Sequence, residues 1–374
     1  MFQGTQRGDK KMARCRLAVV LSFLVFCTFG SLAAAGDLEH LVSSGLLKPA
    51  ELQIVWENKL AIETGESLEQ LFVLNNRIYG LSNQNYVVGL NREKGNMIFS
   101  RYLADRGFPV IGLGVYEDKL FSVAGNKLVE IDPESGEERS AERLKFGVVC
   151  PASRNSSHFY IGGTDKRVHI LRSKDKVQVI EAAAENDSAI TSIVADENSA
   201  IFATKAGNVI SIAVDRFTRQ WQFKAAGGIA GPIVRDANSV FAASGDTNVY
   251  KLDARTGKLV WKYQTGAMLE RGPAVTEKCV YQYVRNEGLS AIDKESGKLV
   301  WQMAEGVDLL AESNGRAYVI TKAGTLIVMD NKKAKQLYSV DLPNVSIYAV
   351  NTADSKIYIA DKSGRIACLK PIEW

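Results

Sequence analysis

Short apolar runs separated by polar turns recur along the chain on a nearly constant beat. Eight anchors mark it, Leu90, Ile131, Leu171, Ile212, Leu252, Ile292, Met329 and Leu369, at spacings of 41, 40, 41, 40, 40, 37 and 40 residues. Runs such as Ser239–Ala243, Arg316–Ile320 and Lys356–Ala360 are rich in β-branched and aromatic residues, and each leads into a turn containing glycine, so they read as inner strands. No long helical pattern interrupts them. A repeat of about forty residues is that of one four-stranded blade in a closed ring. The expected fold is therefore all-β, a single eight-bladed β-propeller of four-stranded antiparallel blades.

The clearest copies are Leu252-Asp253-Ala-Arg-Thr-Gly257-Lys-Leu-Val-Trp261 and, 40 residues on, Ile292-Asp293-Lys-Glu-Ser-Gly297-Lys-Leu-Val-Trp301. Asp opens the turn by accepting backbone N–H groups, and Gly closes it where a positive φ is needed. This is a hairpin between the last two strands of a blade. The tryptophan nine residues past the anchor has the area to fill the gap to the next blade, and its N–H can reach a main-chain acceptor. The same offset gives Phe99, Ser140, Ile180, Trp221 and Tyr338, so docking is well kept in blades four to six and weak in blades two and three.

Leu369 stands five residues from the end, leaving three strands for blade eight. The fourth is expected from Leu52-Gln53-Ile54-Val55-Trp56, which would place Trp56 at the docking position and close the ring with an N-terminal strand. Closure of this kind removes free sheet edges.

Length alone would suggest two domains, but blades that bury their faces only against neighbours override that prior. The expected organisation is a signal peptide over residues 1–35, a linker or a short docking helix ending at Pro49 over residues 36–50, and the propeller over residues 51–374. Arg7, Lys10, Lys11, Arg14 and Arg16 precede the apolar run Leu17–Phe29, and Ala33-Ala34-Ala35 follows it, the three parts of a secretory signal. Leu17 to Ala35 is also about long enough to serve as an uncleaved membrane anchor. Phe26 stands before Cys27, where a lipoprotein signal wants a small residue. Removing residues 1–35 takes away five basic residues and one acid, leaving 41 of each sign. Nothing then favours nucleic acid, which needs a positive field.

Candidate chemistry is sparse. Cys150, Cys279 and Cys368 lie in three different blades and read as small buried hydrophobes. His40, His158 and His169 have no metal-ligand spacing. The stretch Ala225-Ala-Gly-Gly-Ile-Ala-Gly-Pro232 lacks the Lys-Ser/Thr ending of a phosphate loop and reads as a blade-to-blade connection.

The Asp-x-x-Thr/Ser-Gly-Lys-Leu-Val-Trp motif resembles the tryptophan-docking repeat of pyrroloquinoline-quinone (PQQ)-type propellers, over nearly the whole chain after the leader. The family's catalytic branch, the quinoprotein dehydrogenases, carries large insertions, a calcium or lanthanide site and typically a vicinal cysteine pair. This chain has no adjacent cysteines and no inserted segments. It is more similar to the BamB-like branch, periplasmic eight-bladed propellers of the outer-membrane β-barrel assembly machinery. That resemblance implies a non-enzymatic, cofactor-free, monomeric scaffold that is periplasmic or secreted, binds an envelope or outer-membrane protein and associates with the membrane peripherally; a PQQ-dependent dehydrogenase-type or other ligand-binding propeller is the alternative. Membership of that branch further implies partner contacts on adjacent-blade loops, a Leu-x-Leu-Arg-Gly stretch and an Asp-rich turn. Met268-Leu269-Glu270-Arg271-Gly272 and Gly306-Val307-Asp308 fall at comparable places, with Glu270 replacing an apolar residue. Leu269, Arg271 and Asp308 are the candidate partner-binding residues, Leu269 as apolar anchor. Trp56, Phe99, Trp221, Gly257, Trp261, Gly297, Trp301 and Tyr338 are the expected blade-docking positions.

Overall fold

A computed structural model of the chain describes residues 40–184 and 187–372. The expected leader, residues 1–35, lies outside them. The described residues form eight four-stranded antiparallel sheets, each a blade. Blade five, with strands Val234–Asp236, Ser239–Ala243, Asn248–Asp253 and Leu259–Gln264, is typical. In blade eight, Ile347–Ala349, Ile357–Ala360 and Arg365–Pro371 are completed on the outside by Leu52–Lys59, which pairs with Arg365–Pro371 from Leu52 opposite Pro371 to Lys59 opposite Arg365. The ring is closed as the sequence leads one to expect. The runs at 239–243, 316–320 and 356–360 fall in second strands, one position out from the channel.

There is no central core. The buried apolar residues fall into eight clusters, and each lies between two neighbouring blades. Phe241, Trp261 and Val280 fill the seam between blades five and six, for example, and Phe121, Phe159 and Leu171 that between blades two and three. Stability is thus a sum of seams, as in other repeat architectures.

Every seam but that of blades seven and eight is organised by the hairpin after the anchor. Asp253 Oδ1 accepts the Thr256 N–H and hydroxyl, both at 2.7 Å, and Asp293 Oδ1 does the same for Ser296 at 2.7 and 2.6 Å. A bulge follows at Lys251/Leu252 and Ala291/Ile292, and recurs at the anchor of every other blade up to the seventh. The glycine closing the turn has φ of 69° at Gly257 and 71° at Gly297, the arrangement of a G1 bulge. It is also a docking floor: a Cβ on Gly297 would stand 2.7 Å from the Trp261 ring, and one on Gly95 2.3 Å from Trp56. The indole N–H groups of Trp56, Trp221 and Trp261 donate at 3.0 Å to the carbonyls of Arg92, Ala254 and Lys294. Trp301 departs from the main-chain expectation and donates to the Asn331 side chain at 2.7 Å. Phe99 lies on Gly136 in the same way.

Where the sequence lacks the docking pair, the backbone keeps its shape. Lys176, Phe217 and Ala334 replace the glycine with φ of 58°, 53° and 51°. Between blades two and three, Ser140 stands for the indole and Lys176 for the glycine. That seam holds an ionic cluster: Glu130 meets Arg154 and Lys176, each at 2.5 Å, with the Ser140 hydroxyl donating at 3.0 Å. Arg154 lies 4.4 Å over Phe159. Between blades three and four, Ile180 is 41% exposed and Phe217 packs edge-on against His158 from the hairpin side.

Residues 40–50 pack against the seam of blades seven and eight. Ser43 caps a single helical turn, Ser44–Leu47, which runs into a 3-10 turn, Lys48–Ala50, with Leu41, Val42 and Leu47 buried. Glu51, at φ 56°, accepts the Tyr338 hydroxyl at 2.8 Å and pairs with Arg316, standing in for the hairpin that the chain ends cannot supply.

Candidate partner-binding site

First strands of neighbouring blades touch at the seams of blades eight and one, one and two, three and four, and five and six, so these strands and the loops entering them line the inside of the ring. Arg271 lies in the connection from Leu259–Gln264 to Ala274–Val275, and Asp308 in Gly306–Ser313, the first strand of blade seven. The structure brings both to one cleft of about 570 Å³, with Pro232, Tyr283 and Val350 also on its walls.

Glycines set this loop. A Cβ on Gly231 would fall 2.1 Å from the Gly272 nitrogen, and one on Gly272 would fall 2.1 Å from the Pro232 carbonyl. The stretch Ala225–Pro232 is therefore a blade-to-blade connection in close backbone contact with the next one. Arg271 places its guanidinium carbon 4.7 Å from the Tyr283 ring centroid, a cation–π arrangement. Burial pushes the Asp308 carboxyl up to about 6, against the pull of the Arg271 charge, the Leu309 N–H and the Tyr348 hydroxyl. The Tyr348 phenol is pushed up to about 12 by burial and then by the Asp308 charge. The cleft so combines an exposed cation stacked on an aromatic ring, a half-buried carboxylate and apolar walls.

Leu269 is not on the cleft. It is 2% exposed, packs in the seam between blades five and six, and its N–H donates to the Ser244 carbonyl at 3.4 Å. Expected as the apolar anchor, Leu269 instead lies buried inside the seam, two residues before Arg271. The repeat carried that signal, since Ile229, 40 residues earlier, is also buried and donates to Thr204. The apolar side chain exposed on this loop is Met268, at 65%. The sequence also gave no weight to Tyr283 and Tyr348, whose contribution depends on strands from three blades.

The other candidate groups are buried or paired away from the cleft. Cys150, Cys279 and Cys368 are free and buried, and burial pushes their thiols up to about 11, 12 and 12. His169 is stacked on Phe146 at 3.5 Å and reaches Asp165 at 3.0 Å. A larger cleft, about 770 Å³, follows the ionic seam of blades two and three, where Glu130, Arg154 and Lys176 answer one another. Among the described residues no group of three or more His, Cys, Asp or Glu is placed to hold a metal ion, and no helix is long and apolar enough to cross a membrane.

The family model for the outer membrane protein assembly factor BamB matches residues 205–344 and, in a second register, 245–372. Among solved structures, the crystal structure of BamB from Moraxella catarrhalis superposes with a TM-score of 0.66 at 14% identity, covering 85% of this chain and 99% of that one. The computationally designed Ika8 protein superposes with a TM-score of 0.65 at 12% identity, covering 83% of this chain and 98% of the other. No curated protein sequence matches.

Proposed function

We propose that this chain, a PQQ-type propeller that matches the BamB family model through its second half, is a non-enzymatic extracytoplasmic scaffold that aids outer-membrane protein assembly by holding a partner at the Arg271–Asp308 cleft. The observation that carries the reading is the cleft itself. Arg271, on the loop into blade six, lies over Tyr283, and Asp308, in the first strand of blade seven, lines the same cleft. Such a pair can orient a partner's backbone or side chains, and charged groups held in advance lose little entropy on binding. Met268, on the same loop three residues before Arg271, supplies exposed apolar area. The leader expected over residues 1–35 would deliver the propeller to the periplasm or beyond.

The test is affinity capture with residues 36–374 from detergent-solubilised envelopes of the host, parent and Arg271→Ala in parallel. The parent should recover a barrel-assembly protein and the variant should not, while both melt alike, since a loop substitution of this kind shifts stability by no more than about 0.5 kcal/mol. Equal recovery by both sinks the site. A quinone-and-calcium-dependent absorption spectrum of the purified protein would instead favour the dehydrogenase-type alternative.

A further inference from the structure

We propose that Gln282 is a positioning residue for Arg271, a role that rests on the reading of the cleft above. Gln282 lies in Cys279–Val284, the second strand of blade six, and is 0% exposed. Its Nε2 donates to the Arg271 carbonyl at 3.1 Å and to the Tyr283 carbonyl at 2.8 Å. One amide thus ties the loop that carries the guanidinium to the residue whose ring lies beneath that guanidinium.

The repeat supplies an internal control. The strand residue facing each anchor is followed two positions later by Gly80, Ser122, Ile161, Phe202, Ala242, Val319 and Ile359 in the other seven blades. These are small or apolar, as a buried position in a seam requires. Glutamine stands there only in the blade that the Arg271 loop enters. Its Oε1 has no protein partner, and a buried acceptor left unsatisfied lowers stability rather than raising it. Blade packing therefore does not account for this residue, whereas its two donors both end on the candidate site. Without the clamp, the Arg271 carbonyl is free to rotate and the guanidinium samples positions off the ring, so binding must first restore the order that Gln282 now supplies.

The experiment compares the parent with Gln282→Met, which keeps the length and removes both donors, and with Gln282→Leu as a second apolar replacement should the first fold poorly. The first readout needs no partner: the proton shifts of the Arg271 Nε–H and Cδ groups, which the Tyr283 ring current displaces when the guanidinium is stacked. In the apolar variants these shifts should collapse towards free-arginine values while the melting temperature holds or rises. The second readout is recovery of the barrel-assembly protein from solubilised envelopes, expected to fall roughly tenfold, as for the loss of one to two hydrogen bonds' worth of order. Unchanged Arg271 shifts in a folded variant overturn the positioning role, whatever the capture yields. Collapsed shifts together with undiminished capture by Arg271→Ala would uphold the positioning role and overturn the reading of the cleft.

Discussion

Between blades five and six, and between blades two and three, the same backbone joins two sheets by opposite chemistry. In the first seam the Trp261 indole lies on Gly297 and donates to Lys294. In the second, Ser140 and Lys176 occupy those two positions, and Glu130, Arg154 and Lys176 form a buried cluster. Both hairpins keep the anchor bulge and the left-handed residue. The turn geometry is thus set by the ladder and the ring, and it is imposed on Lys176 even at the cost of about 1–2 kcal/mol that a left-handed non-glycine residue carries. What varies is the adhesive. An apolar seam works at any pH, whereas an ionic seam depends on its charges and on the absence of water.

Trp261→Ala should do the most damage, about 3–5 kcal/mol, as for other large buried aromatics, read as a lower denaturant midpoint. A loss below about 1 kcal/mol would mean that the indole is not what joins blades five and six. Glu130→Gln comes next, at about 3 kcal/mol at pH 7, because Arg154 and Lys176 are left buried without a counter-charge. This effect must depend on pH. Burial alone would raise the Glu130 carboxyl, but Lys176, Ser140 and Arg154 together hold it below its ordinary 4.5. A carboxyl lowered by folding contributes stability above its unfolded value and loses it as pH falls through the folded one. The gap between parent and Glu130→Gln should therefore close below about pH 4.5, and amides of blade three should exchange faster there than those of blade six. Phe217→Gly should matter least, within about 1 kcal/mol, since relief of the left-handed φ offsets the lost contact with His158. A cost as large as that of Trp261→Ala would show Phe217 to be a docking aromatic supplied from the hairpin side.

The difference between the seams also separates what could be read from the sequence from what could not. The anchors, the Asp-to-Gly turns and the tryptophan offset act within one repeat, so blade number, docking and closure by Leu52–Lys59 were legible, as was the weakness at Ser140 and Ile180. Glu130 and Arg154 come from strands of two blades and Lys176 from a hairpin turn, and they meet only because those two blades are neighbours. No spacing announces that. The same holds for the cleft: Arg271 and Asp308 could be named from a motif, but Tyr283, Tyr348 and Gln282 act through register, and the burial of Leu269 follows from its repeat counterpart Ile229 rather than from the motif.

The strand Leu52–Lys59 has a further consequence when the chain is considered in the order of its manufacture. It is made well before its ladder partner, Arg365–Pro371, which follows about three hundred residues later, a separation that makes for slow closure. Throughout synthesis, and through any passage across a membrane, the growing arc carries an unmatched strand at one end and an open seam at the other. Only a chain that carries both strands can satisfy both. Loss of Arg365–Pro371 would leave Leu52–Lys59 without its ladder partner, so closure doubles as an inspection that both strands are present.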